Sequence, residues 1–308
     1  MEEDYPRTLL DFERRFSDET SCRDYLFSLR WPNGFVCPSC GYAQGIQIRR
    51  ARLRCSSCRR ETSAMAGTIF QDSKLPLTMW FRAMWQIASQ KNGVSAMGLQ
   101  RVLGLGSYKT AWTMLHKLRL AMVRPGRDRL IGTVEVDETY WGAEEAGVYG
   151  RAAIEKALII IAAEVIPGSK SAIGRIRLHR IDDVKRKTLH GFIEESIQSG
   201  STVVTDGLPA YQNMVGYTHQ RYVRRKHVVD LGNELLPRVH RVASLLKRWL
   251  MGTHQGSVSD EHLDAYLNEF TFRFNRRTSK SRGKLFYRLA QQAVQIKPVV
   301  FDSIIHNR

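Results

Sequence analysis

The chain has 308 residues, 43% of them hydrophobic and 25% charged, which is material for two or three buried cores and excludes a globally disordered polymer. Lys and Arg number 47 against 30 Asp and Glu, a formal net charge of +17. An excess of that size points to a polyanionic partner and away from an ordinary small-molecule enzyme. The sequence contains no run of about 18 apolar residues and no signal-peptide core near its start, so a cytoplasmic location is expected. Five cysteines, four of them in two close pairs, suit a reducing compartment and a metal site better than a disulfide framework.

Residues 1–30 hold eight acids and five bases, leaving 42 bases against 22 acids for the rest of the chain. This segment, with Leu9, Leu10, Phe12 and Phe16 and then Tyr25, Leu26 and Leu29, reads as a helical packing appendage. Residues 31–75 are punctuated by Gly and paired Cys. Cys37-Pro38-Ser39-Cys40 is followed after fourteen residues by Cys55-Ser56-Ser57-Cys58. Each Cys-x-x-Cys turns two thiolates toward one ion, and two such knuckles complete the tetrahedral four-sulfur site of a structural zinc ribbon. An Arg-rich hairpin (Arg49, Arg50, Arg52, Arg54) links them, and the solitary Cys22 reads as a small core residue. Residues 76–125 carry helical periodicity, with seven bases and no acids through position 124. Within them Gly93–Trp112 has the pattern helix, Gly-containing turn, helix. That suits a helix-turn-helix offering Tyr108, Lys109, Thr113, His116 and Lys117 to a DNA groove, or a plain helical pair; the missing acids favour DNA.

From residue 130 to about 300, strands are expected at 131–140, 157–165, 173–181, 201–205 and 220–229, with helices at 184–199, 239–251 and 260–276. The whole is a multidomain α+β chain whose last domain holds a mixed sheet. In Val134-Glu135-Val136-Asp137-Glu138, strand alternation sets Glu135 and Asp137 on the face opposite the valines. In Val203-Val204-Thr205-Asp206-Gly207 an apolar strand ends on an aspartate, the place where α/β sheets expose functional groups. Paired carboxylates at strand ends invite hard divalent cations, Mg²⁺ or Mn²⁺, and phosphoryl-transfer chemistry. Bases gather again over 221–250 (eight, with two acids) and 271–288 (seven, with none). The cations of the second stretch, including Arg273, Arg276, Arg277, Arg282 and Lys284, are candidate phosphate contacts. On the helix near Val239, the residues His240, Ser244 and Lys247 share a face.

These residues together resemble the bacterial DDE insertion-sequence transposases that carry an N-terminal zinc ribbon. The resemblance runs from about residue 20 to 295. It is carried by the four cysteines, Val136-Asp137-Glu138-Thr139-Tyr140, Thr205-Asp206-Gly207, Ser244-Leu245-Leu246-Lys247-Arg248, Gly252-Thr253-His254, and Tyr266-Leu267-Asn268-Glu269-Phe270 with Arg273-Phe274-Asn275-Arg276-Arg277. It implies an RNase H-like catalytic domain that cuts and joins DNA. Double-stranded DNA would be the partner, as terminal inverted repeats and as target, and a homodimer or higher oligomer the active form. Asp137 and Asp206 match the first two acidic positions, and Lys247 the basic residue after the third, with Arg248 beside it as a DNA contact. Many relatives have Glu at the third position, where this chain has His240; Glu234 is the nearest acid. A regulator that binds DNA without cutting it, or a structure-selective nuclease of the same fold, is the alternative.

Overall fold

The computed structural model describes residues 3–48, 52–142, 156–169, 172–222 and 236–305. The chain divides into two compact units, Met1–Arg124 with Thr278–Arg308, and Pro125–Arg277. The first contains α1 (Leu9–Arg15), α2 (Glu19–Arg30), a sheet of β1 (Gly45–Ile48), β2 (Arg52–Cys55) and β3 (Glu61–Thr62), then α3 (Leu77–Ser89), α4 (Ala96–Leu103) and α5 (Tyr108–Ala121). Its C-terminal contribution is two helices, α9 (Arg282–Ala293) and α10 (Phe301–Ile305). Asp18 opens α2 by accepting from the N–H groups of Thr20 and Ser21, satisfying orphan donors of the first turn. Helix α3 follows Pro76 and has no local side-chain cap. Glu19 of α2 does that work instead, accepting from the N–H of Leu77 at 3.0 Å and of Thr78 at 2.9 Å.

The opening segment is a core element and not an appendage. Phe12, Phe16 and Tyr25 pack with Phe81, Trp85 and Phe286 in one aromatic cluster. Phe286 lies on α9, so the last catalytic-domain residues expected from the sequence, 278–300, fold with the N-terminal unit. The apolar face of α9 (Leu285, Phe286, Leu289) is buried, and it finds its partners there. The acidic start also has a target, because Glu3 pairs with Lys284 and Arg288 of this helix. Cys22 is fully buried, and burial pushes its thiol up to about 12.

The second unit is layered. β4 (Thr133–Trp141), β5 (Ala157–Val165), β6 (Ile173–Ile181), β7 (Thr202–Thr205) and β8 (Thr218–Arg221) form a sheet in the order β6-β5-β4-β7-β8. β6, β5 and β4 are antiparallel neighbours, while β7 and β8 join parallel to β4, giving the RNase H-like mixed sheet. α6 (Arg186–Ser196) covers one face, with Leu189 and Ile193 against Val134, Val136, Ile160 and Ala162. α7 (Pro237–His254) and α8 (Leu263–Phe274) cover the other, with Val242, Leu246 and Leu267 against Ile159, Ile161 and Ala163. Burial on both faces explains the unbroken apolar run of β5. The strand expected over 220–229 ends by Arg221, and positions from 223 lie outside the described residues, as do Arg49, Arg50 and Glu234. Among the described residues no helix is long and apolar enough to cross a membrane.

Candidate functional site

Two sites emerge, one in each unit. In the first, Sγ of Cys37 lies 3.7 Å from that of Cys58, and Sγ of Cys40 lies 3.6 Å from that of Cys55. All four sulfurs sit within 4.8 Å of one another. With a Zn–S bond of about 2.3 Å, a tetrahedron has edges of about 3.8 Å, so the quartet fits a zinc ion closely. The backbone prepares the thiolates. N–H groups of Ser39 and Cys40 draw the Cys37 thiol down to about 6, the electrostatic environment a metal ligand needs. Gly41 takes φ +75° after the first knuckle, a conformation that suits glycine. Trp31 and Phe35 pack with Cys37 and Cys55 beneath the site.

In the second unit, β4 and β7 run parallel in register, Glu135 opposite Val204, so Asp137 and Asp206 emerge at neighbouring strand positions. Helix α7 passes the same end of the sheet and brings Nε2 of His240 to 3.3 Å from Oδ2 of Asp137. Burial raises the Asp137 carboxyl; the N–H of Glu138 opposes that shift, and the charge of Asp206 adds to it. A carboxylate held against its own solvation beside a second carboxylate gains from a cation. The two carboxylates could hold Mg²⁺ or Mn²⁺ with water completing the shell, and the imidazole is a softer third donor. Among the described residues, however, only the four cysteines form a tight cluster of three or more metal-ligating side chains. Asp137, Asp206 and His240 are neighbours without being closed to that degree.

Supporting contacts surround the trio, and sequence reasoning missed their roles. Glu135 is 4% exposed. It accepts from the N–H groups of Arg238 (2.8 Å) and Val239 (3.1 Å) and from Nη1 of Arg238 (2.7 Å). Glu138, on the opposite face of β4, accepts from the hydroxyl of the buried Tyr211, which ends the 3₁₀ turn Pro209–Tyr211 that follows Asp206. The carboxylate of Asp206 itself accepts from the N–H of Leu208 at 2.9 Å, closing the turn. The hydroxyl of Thr205 donates to the Asp206 carbonyl at 3.0 Å and lies 2.9 Å from Nε2 of His219 on β8. The available signal was spacing alone: Arg238 precedes His240 by the same two positions that separate Glu135 from Asp137.

The cations divide into two sets. His240, Arg241, Ser244, Lys247, Arg248 and Met251 form the exposed stripe of α7. Lys247 is partly desolvated, which together with nearby Lys156 lowers its pKa. The arginines after Glu269, expected as phosphate contacts, also make contacts within the protein, with Arg273 and Arg276 half-buried and Arg277 exposed. Arg273 reaches the fully buried Glu269 at 3.3 Å. Arg276 donates to the carbonyl of Phe272 at 3.1 Å and lies over its ring. Arg277 donates to carbonyls of Ile173 and Gly174, and Asn275 pairs with both backbone groups of Ile176. These side chains pair with the open edge of β6, the row of unpaired groups that a sheet must cover. Phe272, Phe274 and Phe286 are buried core, so none is available to stack a base.

In the helical region, α4 ends on Gly104 in the left-handed conformation and α5 begins at Tyr108, a four-residue turn of helix-turn-helix length. Tyr108 and Lys109 are exposed, with Nζ of Lys109 3.7 Å from the Phe301 ring centroid. Thr113 and Lys117 are half-buried. His116 departs from expectation: it is 2% exposed and stacks on Trp112, so it packs inside. Arg282 is exposed on α9, whereas Lys284 is paired with Glu3.

Residues 129–275 match the ISXO2-like transposase domain, and residues 17–61 match the transposase zinc-ribbon domain. An uncharacterized protein in the transposable element ISH50 of Halobacterium salinarum is 27% identical over 303 residues, covering 88% of this chain and 95% of that protein. A chain in the structure of a simian T-cell lymphotropic virus intasome in complex with PP2A regulatory subunit B56 gamma covers 67% of this chain and 72% of its own length. Its TM-score is 0.33 at 14% identity, a likeness that carries no argument.

Proposed function

Because the chain belongs to the insertion-sequence transposases that join a zinc ribbon to an ISXO2-like transposase domain, we propose that it cuts DNA at the ends of its element and joins them to target DNA. The observation that carries this reading is the convergence of Asp137, Asp206 and His240 at one end of the sheet, with His240 hydrogen-bonded to Asp137. Bound Mg²⁺ or Mn²⁺ would supply charge neutralisation at the phosphate and a lowered pKa for the attacking oxygen. The rest falls to the protein. Asp137 and Asp206 would hold the ion, and His240 would be its third protein ligand, turning inward from its present contact. Its neutral imidazole offers no compensating charge, so the site is one negative charge poorer than a three-carboxylate set.

Lys247 and Arg248 lie about two turns along the exposed face of α7 from His240 and would hold the phosphates flanking the scissile bond. Lys247 is partly desolvated, which would strengthen its attraction for an anion relative to a fully solvated ammonium. The zinc ribbon and the α4–α5 pair would bind terminal repeats, with Tyr108 and Lys109 at the exposed start of α5 and Lys117 farther along it. The ribbon's zinc has all four positions filled by protein, so it would organise this binding surface and take no part in the cut. Assembly as a homodimer or higher oligomer would bring two ends together, and the work belongs to the cytoplasm, at the nucleoid.

Purified protein is expected to nick DNA bearing its own terminal repeats in the presence of Mg²⁺ or Mn²⁺. Asp137→Ala and Asp206→Ala are each expected to abolish metal-dependent cutting while leaving repeat binding intact. Undiminished cutting by both variants would refute the assignment. One observation favours a second reading: an imidazole stands where a third carboxylate is common, which suits a DNA-binding regulator that does not cut. Specific repeat binding with no metal-dependent product would decide for it, and cutting without strand-transfer product would indicate a nuclease.

A further inference from the structure

The attachment of α7 to the sheet has an unusual chemistry. The helix opens with Leu236 in the capping position and Pro237 in its first turn, and no local side chain caps it. Proline there is well tolerated, but the following N–H groups still need acceptors. They find them more than a hundred residues away in sequence. One oxygen of Glu135 takes the N–H groups of Arg238 and Val239, and the other takes the Arg238 guanidinium at 2.7 Å. The remaining arginine nitrogens reach the carbonyls of Ala172 (3.1 Å) and Ser169 (2.7 Å), in the segment between β5 and β6. Both partners are buried, Glu135 at 4% and Arg238 at 9% exposure.

A buried ion pair is a poor way to fasten a helix if stability is the only aim. Desolvation cancels much of the attraction, and well-packed apolar replacements are often neutral or stabilising by about 1–4 kcal/mol. An apolar contact, however, tolerates sliding and rotation. Three directed hydrogen bonds to one carboxylate, two from consecutive backbone N–H groups, fix both the height and the rotation of the first turn. Two residues beyond Glu135 on the strand is Asp137, and two residues beyond Arg238 on the helix is His240.

We propose that Glu135 is a positioning residue: through Arg238 and the first turn of α7 it sets the helix in register with β4, so that His240 meets Asp137 at hydrogen-bond distance. This rests on the reading of Asp137, Asp206 and His240 as a metal site. Glu135 itself is not a ligand, because both its oxygens are occupied by the helix. Its part is that of the groups behind metal ligands elsewhere, whose loss weakens metal binding about 10–100-fold.

The test is titration of the full-length, zinc-loaded protein with Mn²⁺ alone, followed by electron paramagnetic resonance well below every variant's unfolding temperature. Glu135→Gln preserves size but puts an amide NH₂ where an oxygen now accepts, setting a donor against a donor. Glu164→Gln is the control. Glu164 is also buried, pairs with Arg175 at 2.6 Å and accepts from the N–H of Ile131, but holds no part of α7. The expected result is a 10- to 100-fold rise in the Mn²⁺ dissociation constant for Glu135→Gln, with a change of about twofold or less for Glu164→Gln. Arg238→Lys keeps the charge and loses the fork; it should give a smaller rise, and it carries the test if Glu135→Gln does not fold. Wild-type affinity in both Glu135→Gln and Arg238→Lys, with binding abolished in Asp137→Ala, would overturn the proposal and leave the metal site standing. Equal weakening by Glu135→Gln and Glu164→Gln would also overturn it, as a sign of general loosening. Unchanged Mn²⁺ binding in Asp137→Ala would overturn the metal-site reading, and the positioning role with it.

Discussion

The cysteine quartet and the acidic site solve the same physical problem, gathering electron-rich side chains that repel or waste one another, at very different sequence ranges. The four cysteines span 22 positions and are held by two knuckles whose own backbone N–H groups favour the thiolates. The trio of Asp137, Asp206 and His240 comes from two strands and a helix, 69 and 34 positions apart in sequence, and each member has contacts from outside it. Glu135 holds the helix that bears His240, and the Glu138–Tyr211 contact holds the turn that follows Asp206. A local site can be preformed by its turns. An assembled one is only as exact as the buried polar contacts behind it.

That contrast can be broken most forcefully at the ribbon. Chelation of zinc, or Cys37→Ser, should unfold residues 31–75, because structural zinc contributes about 10–16 kcal/mol in small ribbon-like modules. The loss should show as collapsed amide dispersion for that segment, while Mn²⁺ binding at Asp137, Asp206 and His240 survives. Failure of both sites together would show that the ribbon is not the self-sufficient module its local ligands suggest.

Smaller effects sharpen the comparison on the acidic side. Tyr211→Phe removes the hydroxyl that donates to Glu138, and a loss of about 1–3 kcal/mol is expected from a buried, charge-assisted bond, read from the urea midpoint. If the contact supports the Asp206 turn, Mn²⁺ affinity should fall as well; stability loss with unchanged affinity would confine Glu138 to a packing role. Arg277→Ala should cost about 1–2 kcal/mol by exposing the edge of β6, with DNA affinity unchanged. Arg248→Ala should do the reverse, staying within about 0.5 kcal/mol in stability while lowering the salt dependence of DNA binding by about one unit of slope. The opposite pattern would return Arg277 to the set of phosphate contacts.

The arginines that follow Glu269 also mark where sequence reading reached its limit. Arg273, Arg276 and Arg277 sit in a run of cations and aromatics that reads as a polyanion groove, yet their partners are a buried glutamate, a helix carbonyl and a strand edge. Charge density along a chain does not show which way a guanidinium turns. His116 misleads in the same manner, because its helical position suits a groove until Trp112 covers it. By contrast, β5 and β6 match their expected bounds, 157–165 and 173–181, since continuous or alternating apolar character is itself the cause of those strands.

The sequence by itself determined the zinc ribbon, the strand that bears Asp137, the strand that ends at Asp206, and the helical face shared by His240 and Lys247. Each depends on spacing within a few tens of residues, which local geometry converts directly into side-chain direction. Only the tertiary structure decided that the chain's last helices complete the first unit, that an acidic leader pairs with a basic helix, and that the two glutamates near Asp137 take their partners from Arg238 and Tyr211. Those outcomes turn on which distant donor satisfies a buried acceptor. That pairing is settled by the cost of leaving either one alone in the interior, and no local pattern records it.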